Sequence, residues 1–570
     1  MKAKKHLVTS ALPYSNGPLH FGHMSGVYLP ADIYVRHLKL SGQEAIHISG
    51  ADQHGVAIMQ NAQKAGVPYA KYVDDWSKEH QKLFAQMQIK FDYFGATATE
   101  YHAVESKKWF QKLVEVGAIG PKDEEQLKCQ DCHNFLPDRY VEGTCYVCGY
   151  KEARGDECPE CGTWIDPLKL VSPTCKFCQS KNIKVQTTTQ WYLLLSKFSN
   201  KFHEWFKTKR AWRKTVDPFV ESLAKEGLVD RAITRDLDWG IDVPLAEAKG
   251  KKMYVWFDAP IGYVSNLKQW IKETNRQEDF AKDWWLSPDV EITNFIGKDN
   301  IIFHSITFPM MSMLSGFARP VDRLAAQQYV QLAGKQFSKS KGHYVDFDEA
   351  IALCGVDALR YYLIWLIPEE ADTSFTWKGA EGKINGELAN NIGNLVSRSL
   401  KFMNKQWPDG IEQTTLLEFF KSSFYQEFEK TLPELKGALN DFEFRRGLEL
   451  IMKLGTVANL SFSDAAPWAL VKTDEAAAKK VIGNAALSVY ALAIVLTPFL
   501  PGLAHKILEL FPDELQNQAL MQAIYQHGLS KLEAQIKTMA KFKLKADPEI
   551  LVPKIDSKKI AELESALMAK

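Results

Sequence analysis

Pro13-Tyr14-Ser15-Asn16-Gly17-Pro18-Leu19-His20-Phe21-Gly22-His23 follows an apolar run from Leu7 to Leu12 and leads into helix-forming sequence. A strand that ends in a short glycine-bearing turn and re-emerges as a helix builds a phosphate site, because free N–H groups and the positive dipole end face the anion. Pro18 suits the first helical position, with Asn16 or Gly17 as cap. His20 and His23, three apart, then share one face of the first turn. Gly22 has no side chain and lets a flat ring approach the backbone. The segment fits a nucleotide with phosphates and an adenine.

Outward from this turn the chain alternates. Leu7 to Leu12 reads as a strand, Pro18 to Leu40 as a helix, and Ala45 to Ser49 as a strand ending in Gly50-Ala51-Asp52. That is the pattern of a parallel α/β domain. Ligands in such sheets sit beyond the carboxyl ends of the strands, which places Pro13 to Gly17 and Gly50 to Gly55 at one crevice. A cysteine-rich segment, 118–231, interrupts the pattern. Strand signals return at Lys252 to Phe257 and Glu291 to Ile296, after which Gly297-Lys298-Asp299-Asn300 and His304 open another helix. The α/β domain is therefore split into 1–117 and 232–326.

Downstream, Gly334-Lys335-Gln336-Phe337-Ser338-Lys339-Ser340-Lys341-Gly342 packs three lysines and two hydroxyls between glycines. Such a cationic loop can neutralise a leaving pyrophosphate. Asp346 to Leu366 reads as helix. Beyond residue 389 the long segments have helical periodicity: Glu387 to Met403, Phe442 to Phe462, a helix begun by Pro467, and Glu475 to Leu496. The boundaries expected are 327–388 for the lysine-loop region, 389–548 for a helical bundle and 549–570 for a short charged tail.

The chain has 570 residues, 46% hydrophobic, with a net charge of +1. Several domains with substantial cores are expected, and bulk charge gives no nucleic-acid footprint. RNA contact has to rest on local patches, for which Lys207 to Lys214 and Lys531 to Lys545 are candidates. The apolar run after the basic N-terminus is short and passes into proline- and histidine-bearing sequence, unlike a secretory signal. Ala486 to Leu496 is the most apolar stretch, and Pro498 and Pro501 end it short of a membrane span. A soluble cytoplasmic protein without a membrane segment is expected.

Eight of nine cysteines form C-x-x-C pairs: Cys129/Cys132, Cys145/Cys148, Cys158/Cys161 and Cys175/Cys178; the ninth is Cys354. In a cytoplasmic chain these point to zinc and not to disulfides. Nested sharing places Cys145, Cys148, Cys158 and Cys161 on a first ion and Cys129, Cys132, Cys175 and Cys178 on a second, whereas sequential sharing joins adjacent pairs. The spacing permits both. With four protein thiolates no coordination position stays open, so one or two such ions are structural, supplying on the order of 10 kcal/mol of local folding energy.

His20-Phe21-Gly22-His23 together with Phe337-Ser338-Lys339-Ser340 resembles the two ATP-binding signatures of class I aminoacyl-tRNA synthetases. Further motifs narrow the resemblance to the methionyl-tRNA synthetases over nearly the whole chain. These are Ala11-Leu12-Pro13-Tyr14, Ala51-Asp52-Gln53-His54-Gly55, Phe135-Leu136-Pro137-Asp138-Arg139, Tyr254-Val255-Trp256-Phe257-Asp258-Ala259-Pro260-Ile261-Gly262-Tyr263, Gly297-Lys298-Asp299 and Ala466-Pro467-Trp468.

The resemblance implies a Rossmann-like catalytic domain split by a zinc-binding insertion and followed by an all-α anticodon-binding bundle. The implied activity is ATP-dependent ligation of L-methionine to tRNA(Met) through methionyl-adenylate, releasing AMP and pyrophosphate, for translation initiation and elongation. His20, His23, Lys335 and Lys339 carry the implied catalytic roles. Gly22, Gly297, Asp299 and Ser338 join His20, His23 and Lys339 as the ATP contacts, with Mg2+ as cofactor. Asp52 offers an acceptor for the methionine ammonium, and Leu12, Tyr14, Trp256, Ala259, Pro260, Tyr263 and His304 offer a wall on which a thioether packs well. Asn394 and Arg398, four apart on one helix face, and Trp468 are the implied anticodon contacts. Gln336 stands where some relatives have lysine, and Asn300 where some have an apolar pocket residue. Some relatives continue into a dimerisation domain beyond about residue 553, so a monomer is expected. Rival readings are a cofactor adenylyltransferase, which leaves the bundle unexplained, and a non-catalytic zinc-ribbon RNA-binding protein, which leaves the ATP elements unexplained. Leucine, valine and isoleucine enzymes usually carry an editing insertion for which this chain has no room.

Overall fold

The computed structural model describes residues 5–137, 140–155, 157–163, 165–209, 212–337 and 342–568. Five parallel strands form the central sheet: β1 (Lys5–Ser10), β2 (Ala45–Ala51), β3 (Tyr93–Ala96), β4 (Val290–Gly297) and β5 (Arg323–Gln327), in the order β5-β4-β1-β2-β3. β1 is central, and the chain leaves it first on one side and later on the other. The switch point therefore lies between β1 and β4, and the crevice opens beyond their carboxyl ends. Side chains alternate across the sheet as the pleat requires. Leu7, Ile292 and Leu324 enter one core, and Val8, Phe295 and Ala325 another that runs on into the bundle.

On that second face lies a continuous helix made of α1 (Phe21–His23), a π-helical turn Met24–Tyr28 and α2 (Leu29–Leu40). α3 (Val56–Ala65), α4 (Tyr69–Gln86) and α5 (Glu100–Glu115) follow β2 and β3. Between the two halves of the sheet, strands Ile119–Cys129 and Ile183–Leu193 form a long antiparallel ribbon that carries the cysteine module at its far end. The bundle is built on helices Asn394–Gln406, Ser423–Asn440, Phe444–Asp464 and Glu475–Leu496. Glu475–Leu496 is long and apolar enough to cross a membrane, yet 78% of its apolar window is buried within this fold.

Four expectations change. Pro18 does not begin the helix; His20 caps it and Phe21 is its first residue. Lys252 to Phe257 is not a strand: only Lys252–Met253 pairs, and Val255–Asp258 turns helical, which buries the Asp258 carboxylate beside His54 and His102. The helix read over Asp346 to Leu366 breaks at Gly355 (φ 78°) into Phe347–Cys354 and Val356–Trp365. The C-terminal tail contains a docked helix, Ser557–Met568. It buries Ile560 and Leu567, and its Glu564 accepts N–H bonds from Trp377 (2.7 Å) and Lys378 (3.3 Å) at the start of helix Trp377–Glu381.

Several described residues of the basic runs are tied into the fold. Lys209 pairs with Asp217 (2.7 Å) and lies over the Trp212 ring, while Arg213 donates to Gln327 Oε1 and to the Glu369 and Phe442 carbonyls. Lys537, Lys541 and Lys545 pair with Glu533, Glu412 and Asp513.

One buried cation joins three parts of the molecule. The Arg360 guanidinium, fully buried in helix Val356–Trp365, donates to Asp32 Oδ2 of α2 (2.9 Å), to the Met87 carbonyl after α4 (2.6 Å) and to the bundle carbonyl of Phe499 (3.1 Å). Asp32 also accepts from Arg36 and from the Lys90 N–H. Burial alone would raise the Asp32 carboxyl, but Arg36 and Arg360 outweigh it and hold it below the usual carboxylate range. Its stabilisation is complete above about pH 4, the unfolded value, and fades as pH falls through the lower folded one. Replacing Arg360 with methionine is expected to cost about 3 to 5 kcal/mol, because buried Asp32 keeps only Arg36 as its cation and the Met87 and Phe499 carbonyls lose their donor, read from the shift of the urea midpoint at pH 7. The loss should shrink on acidification towards pH 3.

Candidate active site and thiol clusters

β1 delivers the chain to the turn that precedes α1, and the turn is organised by a reciprocal pair of side-chain bonds. His20 Nδ1 accepts the Gly22 N–H (3.1 Å), and His23 Nδ1 accepts the His20 N–H (3.1 Å). Both Nδ1 atoms act as acceptors, so both neutral rings carry their proton on Nε2. Burial, reinforced by the proximity of His20 and His80, pushes the His23 imidazole far below its ordinary pKa. The rings lie 3.8 Å apart. A Cβ on Gly22 would stand 2.9 Å from the His20 ring, so only glycine lets this capping arrangement form. Two N–H donors of fixed tautomer at a helix start suit phosphate oxygens.

The lysine loop approaches the same turn. Phe337 stacks on His20 with ring centroids 4.5 Å apart and planes within 4°. Lys335 is exposed and closes a tight turn with Leu332 (bonds of 2.8 and 3.0 Å), which holds Ala333 and Gly334 in the left-handed region. Ser338 and Lys339 lie outside the described residues, as do Asp138 and Arg139. On the opposite rim Gly297 ends β4. A Cβ there would stand 2.6 Å from Asp299 Oδ1, and the exposed Asp299 contacts the Asn300 amide at 3.5 Å.

Beyond β2, Asp52 is buried, and its Oδ1 has no hydrogen-bond partner. Burial and the charge of Asp258 hold its carboxyl well above the usual range. An unpaired buried carboxylate oxygen suits an ammonium group, whose charge would restore ionisation. Facing it is a polar chain of assigned direction. His304 Nδ1–H donates to the Asn300 carbonyl (3.0 Å), which leaves His304 Nε2 to accept from the Tyr263 hydroxyl (2.8 Å). Burial lowers His304 to about 4, so the ring is neutral at pH 7. Burial and then Asp52 raise the Tyr263 hydroxyl, which ties that ring electrostatically to the Asp52 carboxylate.

Around this chain, Leu12 touches the Gly262 backbone so closely that a Cβ there would lie 2.8 Å from Leu12 Cδ2, and Ala259 and Pro260 are buried at the start of helix Ile261–Glu273. Tyr14 bridges to Asp52 through the backbone, and Trp256 stacks on Phe303 at 4.3 Å. The fold thus gathers Leu12, Tyr14, Asp52, Trp256, Ala259, Pro260, Tyr263 and His304 at one end of the crevice. Sequence reading passed over Phe303 and the supports of Asp258: His54 Nδ1 at 2.9 Å and His102 Nε2 at 3.3 Å, with Ser265 on His102 Nδ1. Three polar residues far apart in sequence leave no local signal.

In the bundle, Asn394 and Arg398 are exposed on helix Asn394–Gln406. The Arg398 guanidinium lies over both Phe462 (5.5 Å) and Trp468 (5.6 Å), and the two rings meet edge to face. Trp468 is 44% exposed, and a large exposed indole backed by arginine has the shape and charge on which an unpaired base can stack. Ala466, left-handed at φ 41°, turns the chain so that Pro467 starts the short helix bearing Trp468. Sequence reading missed Phe462.

The cysteines are nested. Cys129, Cys132, Cys175 and Cys178 form one group and Cys145, Cys148, Cys158 and Cys161 another, the thiol atoms of each within 4.8 Å of one another. Cys129–Cys178 (3.5 Å), Cys132–Cys175 (3.7 Å), Cys148–Cys158 (3.6 Å) and Cys145–Cys161 (3.9 Å) approximate the edge of about 3.8 Å that four thiolates at about 2.3 Å from a tetrahedral zinc would have. Each knuckle repeats one backbone design. The N–H of the first cysteine bonds the carbonyl five residues on (Cys129 to Asn134, Cys145 to Tyr150, Cys158 to Thr163, Cys175 to Ser180). The residue after the second cysteine is left-handed in all four: His133, Gly149, Gly162 and Gln179.

A family model described as tRNA synthetases class I (M) matches residues 6–400, and one described as the anticodon binding domain of methionyl tRNA ligase matches residues 408–568. A methionine–tRNA ligase of Chlorobium limicola is 36% identical over 572 residues, covering 98% of this chain and 80% of that protein. One from Rubrobacter xylanophilus is 37% identical, covering 88% of this chain and 89% of that protein. The structure of Mycobacterium tuberculosis methionyl-tRNA synthetase in complex with methionyl-adenylate aligns with a TM-score of 0.76 at 25% identity, covering 96% of this chain and 99% of that one.

The left-handed knuckle residues give a direct test of the cysteine module. His133→Gly and Gln179→Gly should each stabilise the outer group by about 1 kcal/mol through relief of a side-chain clash, and Gly149→Ala or Gly162→Ala should weaken the inner group by a similar amount. The rate of thiol release to a disulfide reagent in the presence of chelator measures both. Opposite signs at the two groups are expected.

Proposed function

The chain belongs to the methionyl-tRNA synthetase family of class I aminoacyl-tRNA synthetases, and we propose that it ligates L-methionine to tRNA(Met) at the expense of ATP. The observation that carries the reading is the juxtaposition, at one switch-point crevice, of an unpaired buried carboxylate oxygen on Asp52, the Tyr263–His304 pair and two Nε2–H imidazoles. The first two elements fit an amino acid with a soft, uncharged side chain. The third fits the phosphates of a nucleotide.

In this account Asp52 takes the methionine ammonium, and the thioether lies against Tyr263, His304 and the Trp256 ring. A neutral His304 suits this wall, since a buried imidazolium beside an uncharged thioether would cost burial energy. The methionine carboxylate, held in line by these contacts, attacks the α-phosphorus of ATP, and the bond to the pyrophosphate oxygen breaks. No protein nucleophile takes part. His20 and His23 stabilise charge growing on the phosphates, and Lys335 and Lys339 of the loop that Phe337 ties to His20 serve the leaving pyrophosphate; Mg2+ would shield the same phosphates when bound. A ribose hydroxyl of the tRNA terminus then attacks the adenylate carbonyl and AMP leaves. The two cysteine groups would each hold one zinc, which supplies only local folding there because every coordination position is a protein thiolate. Asn394, Arg398 and Trp468 take the anticodon.

Amino-acid-dependent exchange of labelled pyrophosphate into ATP, without tRNA, is expected with methionine alone among the twenty amino acids. Exchange with a different amino acid would overturn the pocket reading. Asp52→Asn should lower kcat/KM for methionine by two orders of magnitude or more, about 3 kcal/mol for a lost buried charge pair. Trp468→Ala should leave exchange intact and reduce tRNA aminoacylation by about 10- to 100-fold, the loss of one base stack at about 1 to 3 kcal/mol. Equal loss of both activities in that variant would contradict the division of labour.

A further inference from the structure

The turn that presents His20 and His23 is held from beneath by α3 and α4. Three side chains reach it. Asn61 Nδ2 of α3 donates to Asn16 Oδ1 (3.0 Å), the Tyr72 hydroxyl of α4 donates to the Asn16 carbonyl (3.4 Å), and His80 Nε2 of α4 lies 2.7 Å from the Gly17 carbonyl. His80 is the strongest of the three, and it is 1% exposed. A carbonyl can only accept, so His80 Nε2 carries the proton. Its Nδ1 has no partner. The Trp76 ring, 6.3 Å from the His80 ring and 6.4 Å from that of Tyr72, backs the group one helical turn away from each.

The arrangement has an electrostatic purpose. A loop that receives a polyanion must turn its N–H groups towards the anion and its carbonyl oxygens away, since each oxygen carries negative partial charge. Gly17 and Asn16 are the last residues before the segment Pro18-Leu19-His20, and their carbonyls are drawn down towards α4 by His80 and Tyr72. Pro18 has no N–H of its own to anchor the loop. Without the helix donors nothing in the local sequence fixes which way these carbonyls point.

Resting on the adenylation reading above, we propose that His80, with Tyr72 and Asn61, is a positioning set for the first step: it orients the Asn16–Gly17 carbonyls away from the nucleotide phosphates and so sets the height of His20 and His23. None of the three touches the reacting atoms. Misplacement of the turn would spare methionine binding, which depends on Asp52, Tyr263 and His304, and would slow the attack on phosphorus.

Two substitutions of one residue test this. In glutamine the amide Nε2 occupies the place of imidazole Nε2 and keeps a donor for Gly17; leucine keeps the volume and removes it. In methionine-dependent pyrophosphate exchange, His80→Leu should lower kcat about 100-fold with the methionine KM within about twofold of wild type, the scale of loss for a misplaced reacting group, and His80→Gln should recover to within about fivefold. Equal activity of the two variants, or a parallel rise in methionine KM, would overturn the proposal. Hydrogen exchange of the Asn16 to Phe21 amides provides a readout independent of catalysis. It should accelerate in His80→Leu and in the Tyr72→Phe/Asn61→Ala double variant, but not in His80→Gln. If the wild-type protein showed no exchange of pyrophosphate, the adenylation reading would fail. If instead the amides were equally protected in all variants, the clamp would fail while the activity stood.

Discussion

The buried Arg360 guanidinium fixes three chain segments against one another. Taking it and Asp32 out of water costs several kcal/mol per ion, which their attraction offsets only with good geometry and full hydrogen bonding. Both conditions hold: Arg360 has three acceptors on three chain segments, and Asp32 has Arg36 and the Lys90 N–H besides. Such a group cannot be satisfied by any one domain alone. The helix that begins at the nucleotide turn, the helix that follows the lysine loop and the bundle must therefore close on each other in one arrangement. His37 adds a second tie of the same kind from α2, with Tyr525 at Nδ1 (2.8 Å) and Asn440 at Nε2 (3.2 Å). The Arg398–Trp468 surface of the bundle and the turn at His20, far apart in the chain, are held in one frame by these polar contacts within a shared apolar core.

The geometry of the proposed site depends on protonation states chosen by backbone bonds. Each of His20, His23, His80 and His304 has a ring nitrogen committed to a main-chain N–H or carbonyl, and in each case the commitment decides where the proton sits. Where lowered pKa values are resolved, burial is the leading cause, so His23, His80 and His304 stay neutral at pH 7. The site therefore offers oriented N–H dipoles and few mobile charges, which suits a reaction whose catalysis is positioning and electrostatics.

Much of this was legible in the sequence. β1, β2 and β4 announce themselves as apolar runs, and the histidine pair at helical spacing lies on one turn as read. The helix starts three residues beyond Pro18, to which the proline and glycine signals point, because His20 supplies the cap from its own ring. Lys252 to Phe257 has strand composition, yet the need to bury Asp258 against two distant histidines overrides local propensity. The terminal helix carries an apolar spacing, Ile560, Leu563 and Leu567, that its charged surroundings concealed. Cysteine spacing left two pairings open. Two strand pairings decide between them: Cys129 lies opposite Ile183 at the end of the ribbon and Val141 opposite Cys175 in a small neighbouring sheet, so the outer pairs arrive together and nested sharing results.

In the proposed site one crevice holds the amino acid by Asp52 and the nucleotide by the tautomer-fixed histidines. A crystal structure of the protein with a non-hydrolysable methionyl-adenylate analogue tests it most directly. The ammonium should lie within hydrogen-bond distance of Asp52 Oδ1, the thioether against Tyr263 and His304, and the phosphate mimic should face the Nε2 atoms of His20 and His23. An ammonium bound elsewhere, with Asp52 Oδ1 still unpaired, would contradict it.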